Sequence, residues 1–316
     1  MKRRIMLTVD TEAIPRRALS NHVSQLIHGR VGEKEAGIGL MMDIADNHDI
    51  KMTFFLEYAQ YLIHGDELIN AGRMINDRNH DLQVHLHPTL LPDDYLTAKG
   101  LRPQKDMFVM SRPETDEVID YALKCHELTG AEPPIAFRGG GYRYNSNVLD
   151  SLKDRGVLIV SNYNPRKSNQ PYNEGAKKQF KWDNGCLELP ISCVDGFRGR
   201  KGSIPYNFNS GIFNNPARDI DKMLGTHEEF IDQYFEEYGE DSILVLVLHS
   251  WSFLDLDDDG FRSIISEYSI ELFTRLLEKL KDKMHFVTTR DLFDSREVDN
   301  PNMEVVSTNE VSCDGS

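Results

Sequence analysis

Two histidines stand two residues apart in Gln83-Val84-His85-Leu86-His87-Pro88. Alternate side chains of a β-strand share a face, so His85 and His87 point the same way, and the following proline stops the pairing beside them. Two imidazoles on one face at a strand end are placed to hold a single metal ion. A second pair with the same spacing, Asp10 and Glu12, closes the first apolar run of the chain. One of these carboxylates with His85 and His87 makes a ligand set that leaves room for water. The other carboxylate is then free to take a proton from that water.

Three further stretches supply what a hydrolytic site needs. Arg138, in Phe137-Arg138-Gly139-Gly140-Gly141-Tyr142, can hold the base ionised through a bidentate pair. The glycines let backbone approach a substrate, and an N–H near Tyr142 can stabilise an oxyanion. His249 ends the apolar run Leu244–Leu248 and, once protonated, can give a proton to a leaving amine or alcohol. Gly140, Gly141 and Trp251 are the candidate substrate contacts. Taken singly, each residue has a plain structural reading: Asp10 a helix cap, His249 a core histidine, Arg138 an ion pair, the glycines a turn. Their joint occurrence at the ends of successive apolar runs favours chemistry, because structural residues would scatter along the strands.

Those runs are the elements that must position the site. Strands are expected at Ile5–Val9, Met52–Phe55, Leu82–His87, Ile135–Arg138, Val157–Ser161, Leu187–Ile191, Ile243–His249 and His285–Thr288, several of them continuously apolar as in parallel strands covered on both faces. Helical spacing of apolar residues marks 34–48, 226–238 and 263–282. Alternation of this kind predicts an α/β protein, a distorted (β/α) barrel of about seven to eight parallel strands. A doubly wound open sheet is the second choice, since no Gly-rich dinucleotide turn follows the first strand. The barrel is expected to fill residues 1–294 as one domain, with loop insertions at 88–112 and 162–216 beside the site. The acidic, aperiodic stretch 295–316 reads as a tail at least partly without structure.

Composition narrows the class. The 316 residues carry 51 acidic and 36 basic side chains, a net charge of −15 that argues against a general nucleic-acid partner. Cys125, Cys186, Cys193 and Cys313 show no paired spacing and read as free thiols. With no apolar run long enough for a membrane span and too short an opening run for a secretion signal, a cytoplasmic location is expected. The oligomeric state is left open. Asp255–Gly260 imitates the start of a calcium loop, but the twelfth position is Ser266, so calcium is not expected there. His22, His28 and His64 read as exposed. Arg198-Gly199-Arg200-Lys201 is a basic cluster in an acidic chain, equally a solvated loop or a seat for an anionic sugar, carboxylate or diphosphate.

The series DTE, HLHP, RGGGY, LELP, LHSW, in that order, resembles the five motif regions of the polysaccharide deacetylases, the NodB-homology or carbohydrate esterase family 4 group, over about residues 3–292. The resemblance implies a distorted barrel and metal-dependent removal of acyl groups, usually N-acetyl, from sugars, with a metal-bound water as nucleophile. It implies Asp10 as base, Glu12 as ligand, Arg138 and Tyr142 at the third motif and His249 as acid. The cofactor is a divalent metal, zinc foremost, with cobalt, nickel or manganese as alternatives. The partner is an N-acylated sugar or glycan precursor. One departure stands out: the family spaces its ligand histidines four apart, which would put the second at Thr89, so either His87 takes that role or the metal is held differently or not at all. Glu188 or Asp183 of the fourth region is the candidate to orient His249. The open alternatives are removal of another acyl group, such as formyl, and a non-catalytic glycan-binding barrel.

Overall fold

The computed structural model describes residues 2–12, 21–103, 105–167, 172, 174–256 and 263–312. Among them a ten-stranded sheet forms the frame. Its strands are β1 (Arg3–Thr11), β2 (Thr53–Glu57), β3 (Asp81–Leu86), β4 (Ala136–Gly139), β5 (Ile159–Val160), β6 (Phe180–Trp182), β7 (Leu187–Glu188), β8 (Ile243–His249), β9 (Met284–Phe286) and β10 (Val305–Val306). The order is β8-β1-β2-β3-β4-β5-β7-β6-β10, with β9 paired to the start of β1. All neighbours are parallel except β6 and β7. The eight expected strands are all present.

The sheet curls into a distorted, mostly parallel half-barrel rather than lying open. Between β7 and β8, among the described residues, no regular strand completes the wall; irregular backbone bridges the seam. Tyr206 N–H donates to Ser192 O at 2.7 Å, Val247 N–H donates to Tyr206 O at 3.1 Å, and Phe208 N–H donates to Val247 O at 2.9 Å. The Ser192 hydroxyl oxygen accepts the N–H of Val245 at 2.7 Å.

Both faces of the strands are covered, which explains their continuous apolar runs. On β1, Ile5, Leu7 and Val9 pack outward with the helices, whereas Met6 joins the inner core with Phe55, Val245 and Val247. The helices of the outer layer are α1 (Ile38–Asp46), α2 (Asp66–Asp77), α3 (Arg112–Glu127), α4 (Ser146–Asp154), α5 (Ile220–Tyr238), α6 (Glu267–Leu280) and α7 (Thr289–Asp294). Local chemistry sets their ends. Ser111 and Glu114 form a capping box on α3, and Asn145 accepts the N–H of Val148 on α4. On α6 the buried stripe is Leu272, Phe273, Leu276, Leu277 and Leu280. Ile264, placed on that stripe by its spacing, instead lies in a short hairpin (254–256 with 263–265) and is 69% exposed.

The inner face turns polar at both ends of the barrel. At the floor, where the strands begin, Asp81 Oδ2 accepts from Thr53 Oγ1 at 2.9 Å, from Thr289 Oγ1 at 2.5 Å and from the N–H of Thr289 at 3.0 Å. Gln83 donates to Asp81 Oδ1 at 2.6 Å and accepts the N–H groups of Ile135 and Ala136. A buried carboxylate here closes the start of α7 and ties three strands to it.

Two expectations need correction. The stretch after Asp294 is not without structure up to Ser312: β10 pairs with β6, and Asp183 accepts from Ser307 Oγ and Thr308 N–H. Backbone pairing carries this segment, so its side-chain composition gave no sign of it; residues 313–316, with Cys313, lie outside the described residues. The insertion 162–216 also holds more order than a loop, including β6 and an antiparallel hairpin, Cys193–Asp195 with Ser203–Pro205. The calcium-loop imitation falls mostly on 257–262, outside the described residues.

Candidate metal and proton-transfer site

Strand register gathers the candidates at the opposite end of the barrel from Asp81. Asp10 stands beside His249 across β1 and β8, Glu57 beside His85 across β2 and β3, and His85 beside Arg138 across β3 and β4. In a parallel barrel these carboxyl-terminal ends share one mouth.

Glu12 is the hub. Its Oε2 lies 3.0 Å from His85 Nε2 and 3.3 Å from His87 Nδ1, and its Oε1 lies 3.6 Å from His249 Nε2. His85 Nδ1 donates to the carbonyl of Arg138 at 2.7 Å. A carbonyl only accepts, so Nδ1 carries the proton and neutral His85 turns its Nε2 lone pair toward a carboxylate. Two acceptors facing each other need a proton or a cation between them. Burial alone would push the Glu12 carboxyl up, but His87, His85 and His249 hold it well below the carboxylate range. Burial opposes protonation of His85 and His87, yet Glu12 raises both, and with Glu57 brings His87 to about 9.

Glu57 was not among the sequence candidates. It ends β2, two residues past the apolar run Met52–Phe55, and a lone acidic residue closing an apolar strand was the signal available. It is 1% exposed. Its Oε2 accepts from His87 Nδ1 at 2.5 Å and from the His87 N–H at 2.7 Å, while Oε1 accepts the N–H of Ala59. Glu12, Glu57, His85 and His87 each bring one ligand atom, and those atoms lie within 4.8 Å of one another. Two carboxylates with two imidazoles suit a divalent cation in charge and donor chemistry. The contact of His85 Nε2 with Glu12, which needs a proton or a cation between them, fits such an ion. His87, rather than Thr89, is the second imidazole of the cluster.

Asp10 is held apart from the imidazoles. Arg138, fully buried, donates from Nη1 to Asp10 Oδ1 at 2.5 Å and to Thr8 Oγ1 at 3.1 Å, and from Nη2 to Ser161 Oγ at 2.9 Å. Its guanidinium rests over the ring of Phe55, 4.3 Å from the centroid. The expected bidentate pair is therefore absent, because the second nitrogen is taken by Ser161.

His249 is held by Asn209 and Ser252, which the sequence did not single out, and by Trp251, expected as a substrate contact. Its Nδ1 faces Asn209 Oδ1 at 3.3 Å, and that oxygen also accepts from Ser252 Oγ at 2.6 Å. Trp251 stacks on the imidazole with centroids 4.5 Å apart. Burial pushes His249 below the ordinary histidine value, against the pull of Asp10 and Glu12. Neither carboxylate of the fourth region reaches it. Glu188 accepts the N–H groups of Asn162 and Tyr163 and the indole N–H of Trp182, and burial raises it to about 7. Asp183 is engaged by the Ser307–Thr308 segment.

The glycines separate by role. A Cβ on Gly140 would lie 2.2 Å from the His87 ring, so this residue makes space for the imidazole. Gly141 is exposed with φ +60 and Tyr142 follows with φ 61, a left-handed turn that glycine accepts readily. Tyr142, Asn207, His249 and Arg166 line a cavity of about 340 Å³. His22 and His64 are not exposed as expected. His22 is 1% exposed, its ring is 4.6 Å from that of His64, and burial drives it down to about 3. His28 and His64 are half-buried. Their burial comes from tertiary packing that local sequence does not carry.

No family model matches the chain, and no curated protein matches it. Solved structures do. A Mycobacterium smegmatis protein assigned as a polysaccharide deacetylase superposes with a TM-score of 0.59 at 12% identity, over 96% of this chain and 93% of that one. The Xyl-CE4 domain of a multidomain xylanase from the hindgut metagenome of Trinervitermes trinervoides gives 0.47 at 13% identity, over 98% and 100%. A CE4 family pseudoenzyme from Bacillus anthracis gives 0.44 at 12% identity, over 98% and 65%. At these identities the likeness is one of fold, and the chain has the polysaccharide deacetylase fold.

Proposed function

We propose that this protein is a metal-dependent hydrolase that removes an acyl group, N-acetyl foremost, from a sugar or glycan precursor. The observation that carries the reading is the contact of Glu12 with His85, His87 and His249 at the barrel mouth, beside an Asp10 held by buried Arg138. Glu12, His85 and His87 would hold the ion, with Glu57 fixing the ring of His87. A divalent cation, zinc foremost, with cobalt, nickel or manganese as alternatives, supplies Lewis acidity for water and for the acyl oxygen when bound.

Asp10 is the base: it takes a proton from the attacking water, and Arg138 keeps it aimed. A backbone N–H near Tyr142 would stabilise the developing oxyanion. His249, whose burial makes its protonated form a stronger acid than an ordinary imidazolium, gives the proton to the departing nitrogen. Asn209 and Trp251 keep its ring in place. The buried free thiols Cys125, Cys186 and Cys193 support a reducing compartment, and with it a cytoplasmic precursor as substrate. No helix among the described residues is long and apolar enough to cross a membrane.

The test is release of acetate, and separately of formate, from a panel of N-acylated sugars by metal-loaded protein. Asp10→Asn should abolish release while keeping the metal, whereas Glu12→Gln should lose the metal. A protein that holds metal, binds glycan and releases no acyl group would be the non-catalytic alternative. Release of formate without acetate would move the reading to a deformylase.

A further inference from the structure

Arg166 lines both the cavity beside His249 and Tyr142 and a second one of about 480 Å³. Lys167 lines the first cavity; Arg200 and Lys201 line the second. All four cations are exposed, and none forms an ion pair among the described residues. No Asp or Glu lines either cavity, in a chain with 51 acidic residues against 36 basic. The neighbouring Arg198 behaves differently: it is tied to Glu229 at 2.6 Å and to Thr226. Asp195, on the adjoining hairpin, accepts the hydroxyl of Ser203 and pairs with none of the four. Single-sign charge in a cleft concentrates field on a ligand of opposite sign, and Arg guanidinium matches phosphoryl oxygens in pairs.

We propose that the sugar substrate carries a phosphoryl group, as a sugar phosphate or a diphosphate conjugate, seated on Arg166, Lys167, Arg200 and Lys201 while its acyl group faces His249. Four cations outmatch the single charge of a carboxylate and suit a group with two or more. The proposal rests on the deacylase reading of the adjoining mouth, but its first test does not depend on turnover. Inorganic phosphate titrated into the metal-loaded full chain should bind, weaken as salt rises, and lose at least tenfold in affinity in the double variant R166Q/R200Q. R198Q should bind phosphate as the parent does, and metal stoichiometry should be the same in all three. Phosphate binding that is absent, or that is unchanged in R166Q/R200Q, would overturn the subsite.

The second test compares acyl release from N-acetylglucosamine, its 1-phosphate and a nucleoside-diphosphate conjugate. A kcat/KM at least tenfold higher for either phosphorylated form than for the neutral sugar, with that preference lost in R166Q/R200Q, is the expected result. The better of the two forms identifies the source of the phosphoryl group. Equal values for all three overturn the proposal and leave the deacylase reading intact. If no acyl group is released but phosphate binding follows the variants as described, the subsite stands and the deacylase reading falls.

Discussion

The floor and the mouth of the barrel are built from the same strands, and both are buried and polar, yet they differ in how their carboxylates are satisfied. At the floor, Asp81 and Gln83 meet donors: hydroxyls and backbone N–H groups of Thr53, Thr289, Ile135 and Ala136. Every acceptor there has something to accept. At the mouth, Glu57 is likewise held by backbone N–H groups and the His87 ring, but Glu12 meets imidazole nitrogens, and His85 already uses its Nδ1–H on a carbonyl. The lesson is that burial and polarity do not distinguish a structural cluster from a functional one. The match of donors to acceptors does, because a cluster satisfied by its own chain has nothing left for a ligand.

Substitutions at the two ends should therefore separate metal binding from stability. The largest effect is expected from His85→Ala, which should lower metal affinity by more than about 100-fold while leaving the metal-free protein folded; calorimetric metal titration with circular dichroism reads both. Asp81→Ala should do the reverse. Its loss strands several buried donors and should cost about 3 kcal/mol in denaturant unfolding, with one metal per chain retained. Metal loss in Asp81→Ala, or a parent-like metal affinity in His85→Ala, would break the contrast.

Glu57→Gln sharpens it. The amide keeps size but weakens the hold on His87, and metal affinity should fall about 10- to 100-fold. A smaller effect follows from pH. His87 is raised from 6.5 to about 9 in the metal-free fold, so its contribution to stability is complete below pH 6.5 and is lost as pH rises through about 9. Metal must displace that proton, so affinity runs the other way and rises over the same window. Opposite slopes for metal-free melting and metal affinity are the expected pair; parallel slopes would show that His87 is not a ligand. The smallest effect separates two adjacent glycines. Gly141→Ala should cost about 1 kcal/mol of stability through its left-handed backbone, with metal affinity unchanged. Gly140→Ala should lower metal affinity as well, because its Cβ occupies the place of the His87 ring.

Much of this was legible in the sequence because continuous apolar runs mark parallel strands, and polar residues that end such runs must sit at a barrel mouth. Glu12, His85, His87 and His249 were found this way. Glu57 belongs to the same logic and was missed because the strand was ended at Phe55, one turn of the pleat too early. Asn209 had no signal at all: it lies in irregular backbone, and only the seam between β7 and β8 brings it to His249. The burial of His22 and the pairing of β10 with β6 were hidden for a related reason. Contacts between distant segments are written in packing and backbone hydrogen bonds, not in local periodicity.

The placement of β1 also fixes the order in which the site can be assembled. On one edge it pairs with β2, its near neighbour in the sheet and in the chain; on the other it pairs with β8, where Thr8 bonds to Leu246 across 238 residues. Glu12, Glu57, His85 and His87 all precede Pro88, whereas Asn209 and His249 come more than 120 residues later. Distant pairings form late because closing a long loop carries more entropy. As the chain is synthesised from its N-terminus, the metal ligands exist before the residue that delivers the proton, and the chemistry becomes complete only with the final closure of the sheet.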